Sequence, residues 1–447
     1  MRSYDRPVPS TSADAPPPDA TGLDVRPFHA LTYRQHDPAH LARVSSPAYD
    51  LVTATGRDRL AAADPHNIVR LILPHVDPVP GQDGSRAAGD RRSAEAAAAT
   101  LREWEAREVL VRERVPALWR YEMAVPGGPV TSGWLGSVAV PPAGSTAVLP
   151  HEDTYAPAVA GRAALLAATH TDLEPIVLAH DPEPEVAELT RLTGIGDPAL
   201  EVADPDGVVH RLWRVTDPAL LARLTRALGR TRSVIADGHH RFAAAREHAA
   251  SPHDHADEAG HARVLALLTP MGPGGLQVRA IHRVVPDLTL DEALHQAAAG
   301  FRVRSLGTDA GVQAAVQEWG DGGGGPAFLV TDGIGLAELS DPSPEMAQAV
   351  PAEAPAAWRG LDVVLAHAAL LTGLWGRADD PASVLVAHDV DEALRLADER
   401  SGVALLLRSP SPSDVAAVAR AGARMPRKST LFVPKPRTGL VLRPHGG

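Results

Sequence analysis

Between Ser233 and Ala250 the hydrophobic period changes within a few residues, and that change restricts the fold more than any other feature of the chain. Ser233-Val234-Ile235-Ala236 is a short apolar run of the kind that forms a buried strand. Asp237-Gly238-His239-His240-Arg241 follows as a polar turn, and Phe242 to Ala250 continues as an Ala-rich helix. A strand that feeds through a glycine turn into a helix belongs to mixed architectures rather than to a bundle or a sandwich.

The same alternation extends along the chain. Asn67 to Leu73 reads as a short strand, Pro78 to Arg92 as a polar loop, and Ser93 to Glu108 as a helix. Ala117 to Val140 reads as a hairpin turning at Pro126-Gly127-Gly128-Pro129. Ala163–Ala168 and Pro218–Leu228 are expected helices, while Pro175–Leu178 and Arg211–Val215 are expected strands. Further on, Ala310–Trp319 and Asp391–Glu399 read as helices, with strands at Phe328–Val330 and Ala404–Leu407. The fold class is therefore α/β or α+β. Met1 to Gly22, rich in Pro, Ser, Asp and Ala, reads as a disordered leader. We expect one portion over 23–290 and a C-terminal α/β portion over 291–447, with the glycines Gly322 to Gly325 as a flexible connection.

Composition narrows the function classes. Without a cysteine the chain has no disulfide, thiolate metal site or cysteine nucleophile. The net charge of −12 argues against a general nucleic-acid partner, which calls for a basic face. No uninterrupted apolar stretch is long enough to span a bilayer. The expectation is a cytoplasmic protein with a small-molecule partner.

Three segments carry chemistry. In the first, Gly238 lets a ligand approach the backbone and Arg241 can fork onto phosphate oxygens at a helix N-terminus. His239 and His240 can donate hydrogen bonds or shuttle protons, and Asp237 can hold Mg²⁺ or orient a hydroxyl. The alternative is a capping Asp237 with packed histidines. In the second, Pro150-His151-Glu152-Asp153, with Arg162 following, sets a carboxylate beside a histidine, as a general base requires; the alternative is a solvated loop. In the third, Arg427, Lys428 and Lys435 form a basic cluster that either neutralises phosphate or charges a β-edge. His253, Asp254, His255, Glu258 and His261 lack a sharp metal spacing and read as a solvated loop. The glycine run does not continue into a phosphate-binding P-loop.

These segments, in order, resemble the bacterial domain-of-unknown-function family 1015. The resemblance rests on Arg26-Pro27-Phe28, Pro47-Ala48-Tyr49-Asp50, Asn67 to Leu71, Pro150 to Glu152, Ala236 to Arg241, Ile281 to Arg283, and Met425 to Leu440. Ala48 replaces a second proline and Arg427 is inserted before Lys428. The His-Glu element followed by Asp-Gly-His-His-Arg is also similar to the ParB/sulfiredoxin-like superfamily and its free-serine kinases. That resemblance implies a ParB/sulfiredoxin-like core with N- and C-terminal elaborations. It implies a kinase of a serine-like hydroxylated metabolite, with a nucleotide (ATP or ADP) and Mg²⁺ as cofactors. Glu152 would be the base, assisted by Asp237, His239 and His240, with Asp237 on the metal. Gly238, Arg241, His151 and Lys428 would hold phosphates. The long insertion between Glu152 and Asp237 departs from compact members of that superfamily, and the missing cysteine removes sulfiredoxin chemistry. A non-catalytic nucleotide sensor is the rival reading.

Overall fold

In the computed structural model of the chain, residues 22–76, 85–250, 262–307, 311–320, 325–378, 380, 382–426 and 428–446 are described. Residues 1–21 of the expected leader, the His253–His261 cluster, Arg427 and Gly322 to Gly324 lie outside these residues.

Two main sheets organise the chain. The first has nine strands. Its spatial order is Val148–Leu149, Ser233–Asp237, Ile176–His180, Arg263–Pro270, Val130–Ala139, Leu118–Ala124, Val209–Val215 and Leu200–Ala203, with Val25–Arg26 paired to Val130–Ala139. Ser233–Asp237 runs parallel to Val148–Leu149 and antiparallel to Ile176–His180. Ser233 to Ala236 are all buried because both faces of the sheet are covered: Val234 and Ala236 join one apolar cluster and Ile235 another.

The second sheet has six antiparallel strands, ordered Arg302–Ser305, Leu336–Ser340, Ala327–Thr331, Val403–Leu406, His282–Val285 and Leu385–Ala387. It takes its first strand from before residue 290, so it draws on both portions of the expected division at 290. The chain then returns to the first half. Thr430–Val433 pairs with Gln277–Ala280, and Arg443–Pro444 pairs with Thr171–Asp172. One apolar core runs from Leu31, Trp119 and Leu265 to Phe328, Leu370 and Leu405, so the two sheets share an interior.

Helices Arg86–Ala106, Ala156–Thr169 and His239–Ala250 pack in sequence beside the first sheet. Their alanines allow close approach: Ala94, Ala97, Ala98, Ala244 and Ala245 are all buried. Among the described residues no helix is long and apolar enough to cross a membrane.

Two local expectations are corrected. Asn67 to Leu73 is not a strand but carries the helix Val69–Ile72. The Asn67 side chain accepts from Val69 N at 3.0 Å and donates to the carbonyl of Arg43 at 2.6 Å, which starts a helical turn. Ile68, Val69, Leu71 and Ile72 are all buried, so hydrophobic period could not separate strand from helix here. Of the polar loop expected over Pro78 to Arg92, residues 78–84 lie outside the described residues and Arg86 to Arg92 are helical, in the helix Arg86–Ala106 that Ser85 caps by accepting from Ala88 N at 3.3 Å.

Candidate functional site

The segments singled out in the sequence meet at one cleft of about 170 Å³. Tyr49 and Asp50 line it, as do Glu152, the Ala236 to Arg241 turn, Ile281, and Lys428 to Lys435 through Thr430, Leu431 and Phe432. His388, from the second sheet's side, completes the wall.

The turn is shaped by its backbone. Pairing with Ile176–His180 shifts register between Ile235 and Asp237, a bulge that re-aims the carboxylate at the strand end. Gly238 follows at φ 93°, and a Cβ there would lie 2.8 Å from Ile176 Cγ2. The glycine is thus required by its own conformation and by Ile176, before any ligand is considered. Helix His239–Ala250 starts at once, and its first N–H groups have no intrahelical acceptor.

The charged residues of the turn are paired with one another. Arg241 Nη2 donates to Asp237 Oδ2, and Arg241 Nη1 donates to the Pro175 carbonyl at 2.6 Å. Lys435 Nζ lies 2.8 Å from Asp237 Oδ1 and also contacts Asp50 Oδ2. Burial would lift the Asp237 carboxyl, but Arg241 and then Lys435 outweigh it and hold it below the usual range. Arg241 and Arg162 both lie over the Tyr49 ring, at 5.5 and 4.5 Å from its centroid. Arg241, expected to fork onto phosphate, places its two terminal nitrogens on Asp237 and a carbonyl, while its Nε is buried without a partner.

Asp237 does not fit the metal role expected of it. Both of its oxygens face cations, and an added divalent ion would sit against Arg241 and Lys435. Among the described residues no group of three His, Asp or Glu side chains is arranged to hold a metal.

The histidines take internal roles. His151 is 1% exposed and lies behind the cleft wall rather than on it. Burial, the largest influence, holds its ring down at about 4, so it is neutral. Its Nδ1 donates to the Ile235 carbonyl at 2.7 Å, which leaves Nε2 to accept from the Thr430 hydroxyl at 3.1 Å. His239 is also kept neutral, by burial and then by the neighbouring His151 ring. His239 Nε2 accepts from His151 N at 3.3 Å, and His240 Nε2 accepts from Tyr155 N at 3.1 Å. These two bonds bracket Glu152.

Glu152 and Lys428 remain. Burial lifts the Glu152 carboxyl above the usual range; Lys428 pulls it down and Asp237 pushes it further up. Glu152 Oε1 lies 3.4 Å from Thr430 Oγ1, whose hydroxyl also faces His151 Nε2. Lys428 is exposed, sits at φ 53° and makes no ion pair with another described residue.

Tyr49, Asp50, Thr430 and His388 were not among the expected site residues. Tyr49 and Asp50 lay in a segment read as a turn, where an aromatic ring beside an acid was the available signal. Nothing in the sequence around His388 marks it.

A search of curated proteins finds no match to the chain. Among solved structures, SbnI with a C-terminal truncation from Staphylococcus aureus is similar at 12% identity, over 67% of this chain and 82% of that one, with a TM-score of 0.34. A conserved hypothetical protein from Pyrococcus furiosus is similar at 13% identity, over 69% of this chain and 93% of that one, with a TM-score of 0.32. A free serine kinase in complex with AMP is similar at 12% identity, over 67% and 87%, with a TM-score of 0.33. Likenesses this loose transfer neither a residue nor an activity. The family evidence is stronger: residues 25–364 match the family described as "Protein of unknown function (DUF1015)", and the chain belongs to that family.

Proposed function

We propose that the cleft binds the phosphates of a nucleotide and transfers a phosphoryl group to a small hydroxylated metabolite of the serine type. One observation carries this reading. Of three carboxylates and three permanent cations lining the cleft, Asp50, Asp237, Arg241 and Lys435 neutralise one another, which leaves Glu152 and Lys428. A proton acceptor, a spare cation and a helix N-terminus are the parts that phosphate chemistry at a hydroxyl needs.

In this reading Lys428 and the first N–H groups of helix His239–Ala250 hold the phosphates. The acceptor oxygen bonds to the terminal phosphorus as the bond from that phosphorus to its bridging oxygen breaks. The hydroxyl proton passes to Glu152, whose raised pKa strengthens it as a base, and the nucleotide leaves one phosphate shorter.

A second reading, a nucleotide sensor without catalysis, is favoured by the internal commitment of Arg241, Asp237, His151 and His239. One experiment separates the two. Purified protein is incubated with labelled ATP or ADP and a panel of hydroxylated amino acids, beside Glu152→Gln. The kinase reading expects product from the wild type and a loss of roughly 10²–10⁴-fold in the variant, with nucleotide affinity retained. Nucleotide binding without product leaves the sensor; no binding removes both.

A further inference from the structure

We infer that the Lys435 ammonium occupies the place a divalent cation would take between Asp50 and Asp237, so that the protein supplies this charge itself and holds no metal there. The two carboxylates come from distant segments, the turn Tyr49–Leu51 and the strand Ser233–Asp237, and a third segment brings the lysine. Lys435 Nζ touches one oxygen of each: Asp237 Oδ1 at 2.8 Å, and Asp50 Oδ2. Two carboxylate oxygens converging on one point is part of the arrangement that hard divalent cations use. Here the point is filled by a nitrogen whose three N–H groups can serve both acids.

The lysine is built in. Its side chain is 10% exposed, and the strand Thr430–Val433, paired with Gln277–Ala280, fixes the segment that carries it. Arg241 adds a second permanent cation on the other oxygen of Asp237. Lys435 and Arg241 thus cover both oxygens of Asp237, while Arg241 also faces the buried Glu174. A divalent ion would have to expel Lys435 or sit between two like charges.

For the phosphate ligand the inference rests on the function proposed above; for the carboxylates it does not. Its consequence is that removing the lysine's charge uncovers a latent cation site. Mn²⁺ is the probe, titrated into the nucleotide-free protein and followed by the loss of its free-ion electron paramagnetic resonance signal. Wild type, Asp237→Asn and Lys435→Met are compared. Methionine keeps the apolar stem and leaves the ammonium position open.

Wild type and Asp237→Asn are expected to bind Mn²⁺ equally. Lys435→Met is expected to gain one site at least ten-fold tighter than any wild-type binding, and to lose it when Asp237→Asn is added. Should Lys435→Met not fold, Lys435→Ala carries the same comparison, because it too leaves the ammonium position open. A wild-type Mn²⁺ site that Asp237→Asn removes would overturn the inference. So would a folded, charge-free variant that gains no site. Because no nucleotide is present, failure of nucleotide binding elsewhere leaves this result readable.

Discussion

His240 Nε2 accepts the backbone N–H of Tyr155 at 3.1 Å, so a histidine of the Asp-Gly-His-His-Arg turn anchors the segment that carries Glu152. His239 does the same for the N–H of His151. Residues that read in sequence as proton shuttles thus work here as acceptors. Substitution of His240 by alanine should speed hydrogen exchange of the Tyr155 amide about ten-fold, the worth of one net hydrogen bond. His240→Gln, whose Oε1 can replace Nε2, should restore part of the protection. Residue-resolved exchange that is equal in His240→Ala and wild type would refute the anchor.

Acid should weaken the fold at a mild pH. His151 and His282 are each held down to about 4, and His239 and His180 are also lowered, in every case chiefly by burial. Between about 4 and the ordinary histidine value near 6.5, the unfolded chain binds protons that the folded chain does not. Stability is then full above about pH 6.5 and falls as pH drops towards 4. At about 1.4 kcal/mol per pKa unit, His151 alone accounts for about 3 kcal/mol. The raised Glu152 and Asp362 act in the opposite direction but are two groups against several. Thermal midpoints recorded from pH 8 to 5 should fall steadily below about 6.5, and a flat profile would contradict the assignment.

Gly238 cannot carry a side chain without strain. Its φ of 93° and the 2.8 Å approach to Ile176 Cγ2 make Gly238→Ala destabilising. The expected cost is about 1–3 kcal/mol. Gly89→Ala is the control, because a Cβ there meets nothing within 4 Å and alanine favours the helix around it. A Gly238→Ala thermal midpoint no lower than that of Gly89→Ala would show that the turn relaxes freely.

Thr430 links two groups that lie far away in the chain. Thr430→Val keeps the shape but leaves His151 Nε2 buried without its donor, at an expected cost of about 1–3 kcal/mol. If catalysis is found, the same variant should move the acid limb of its pH profile, since the Glu152 carboxyl loses the hydroxyl 3.4 Å away. An unchanged stability together with an unchanged profile would remove Thr430 from the site.

The sequence made local structure legible where one signal dominated. Pro218–Leu228 appears as expected because Asp217 caps it, accepting from Leu220 N at 2.8 Å, and Pro218 opens it. The Ser233 to Ala250 strand–turn–helix is also as read, since its change of period is abrupt. Asn67 to Leu73 was misread because burial on all sides erased its period. The roles within the turn were the least legible. Whether Arg241 faces a phosphate or Asp237 depends on Pro175, Tyr49 and Lys435, which only the tertiary fold brings close. The same holds for Lys435 itself, whose charge was visible in the sequence but whose two acidic partners were not.

The central claim is that this cleft holds phosphate through Lys428 and the N-terminus of helix His239–Ala250. The most direct test is calorimetric titration of wild type and Lys428→Ala with ATP, ADP and AMP. Arg241→Ala is a poor choice for this purpose, because it breaks an internal ion pair. The account predicts saturable binding of at least one nucleotide by the wild type, weakened about ten-fold or more in Lys428→Ala, with the thermal midpoint of the free protein unchanged. Absence of binding to the wild type, or equal affinity in the two proteins, would contradict it.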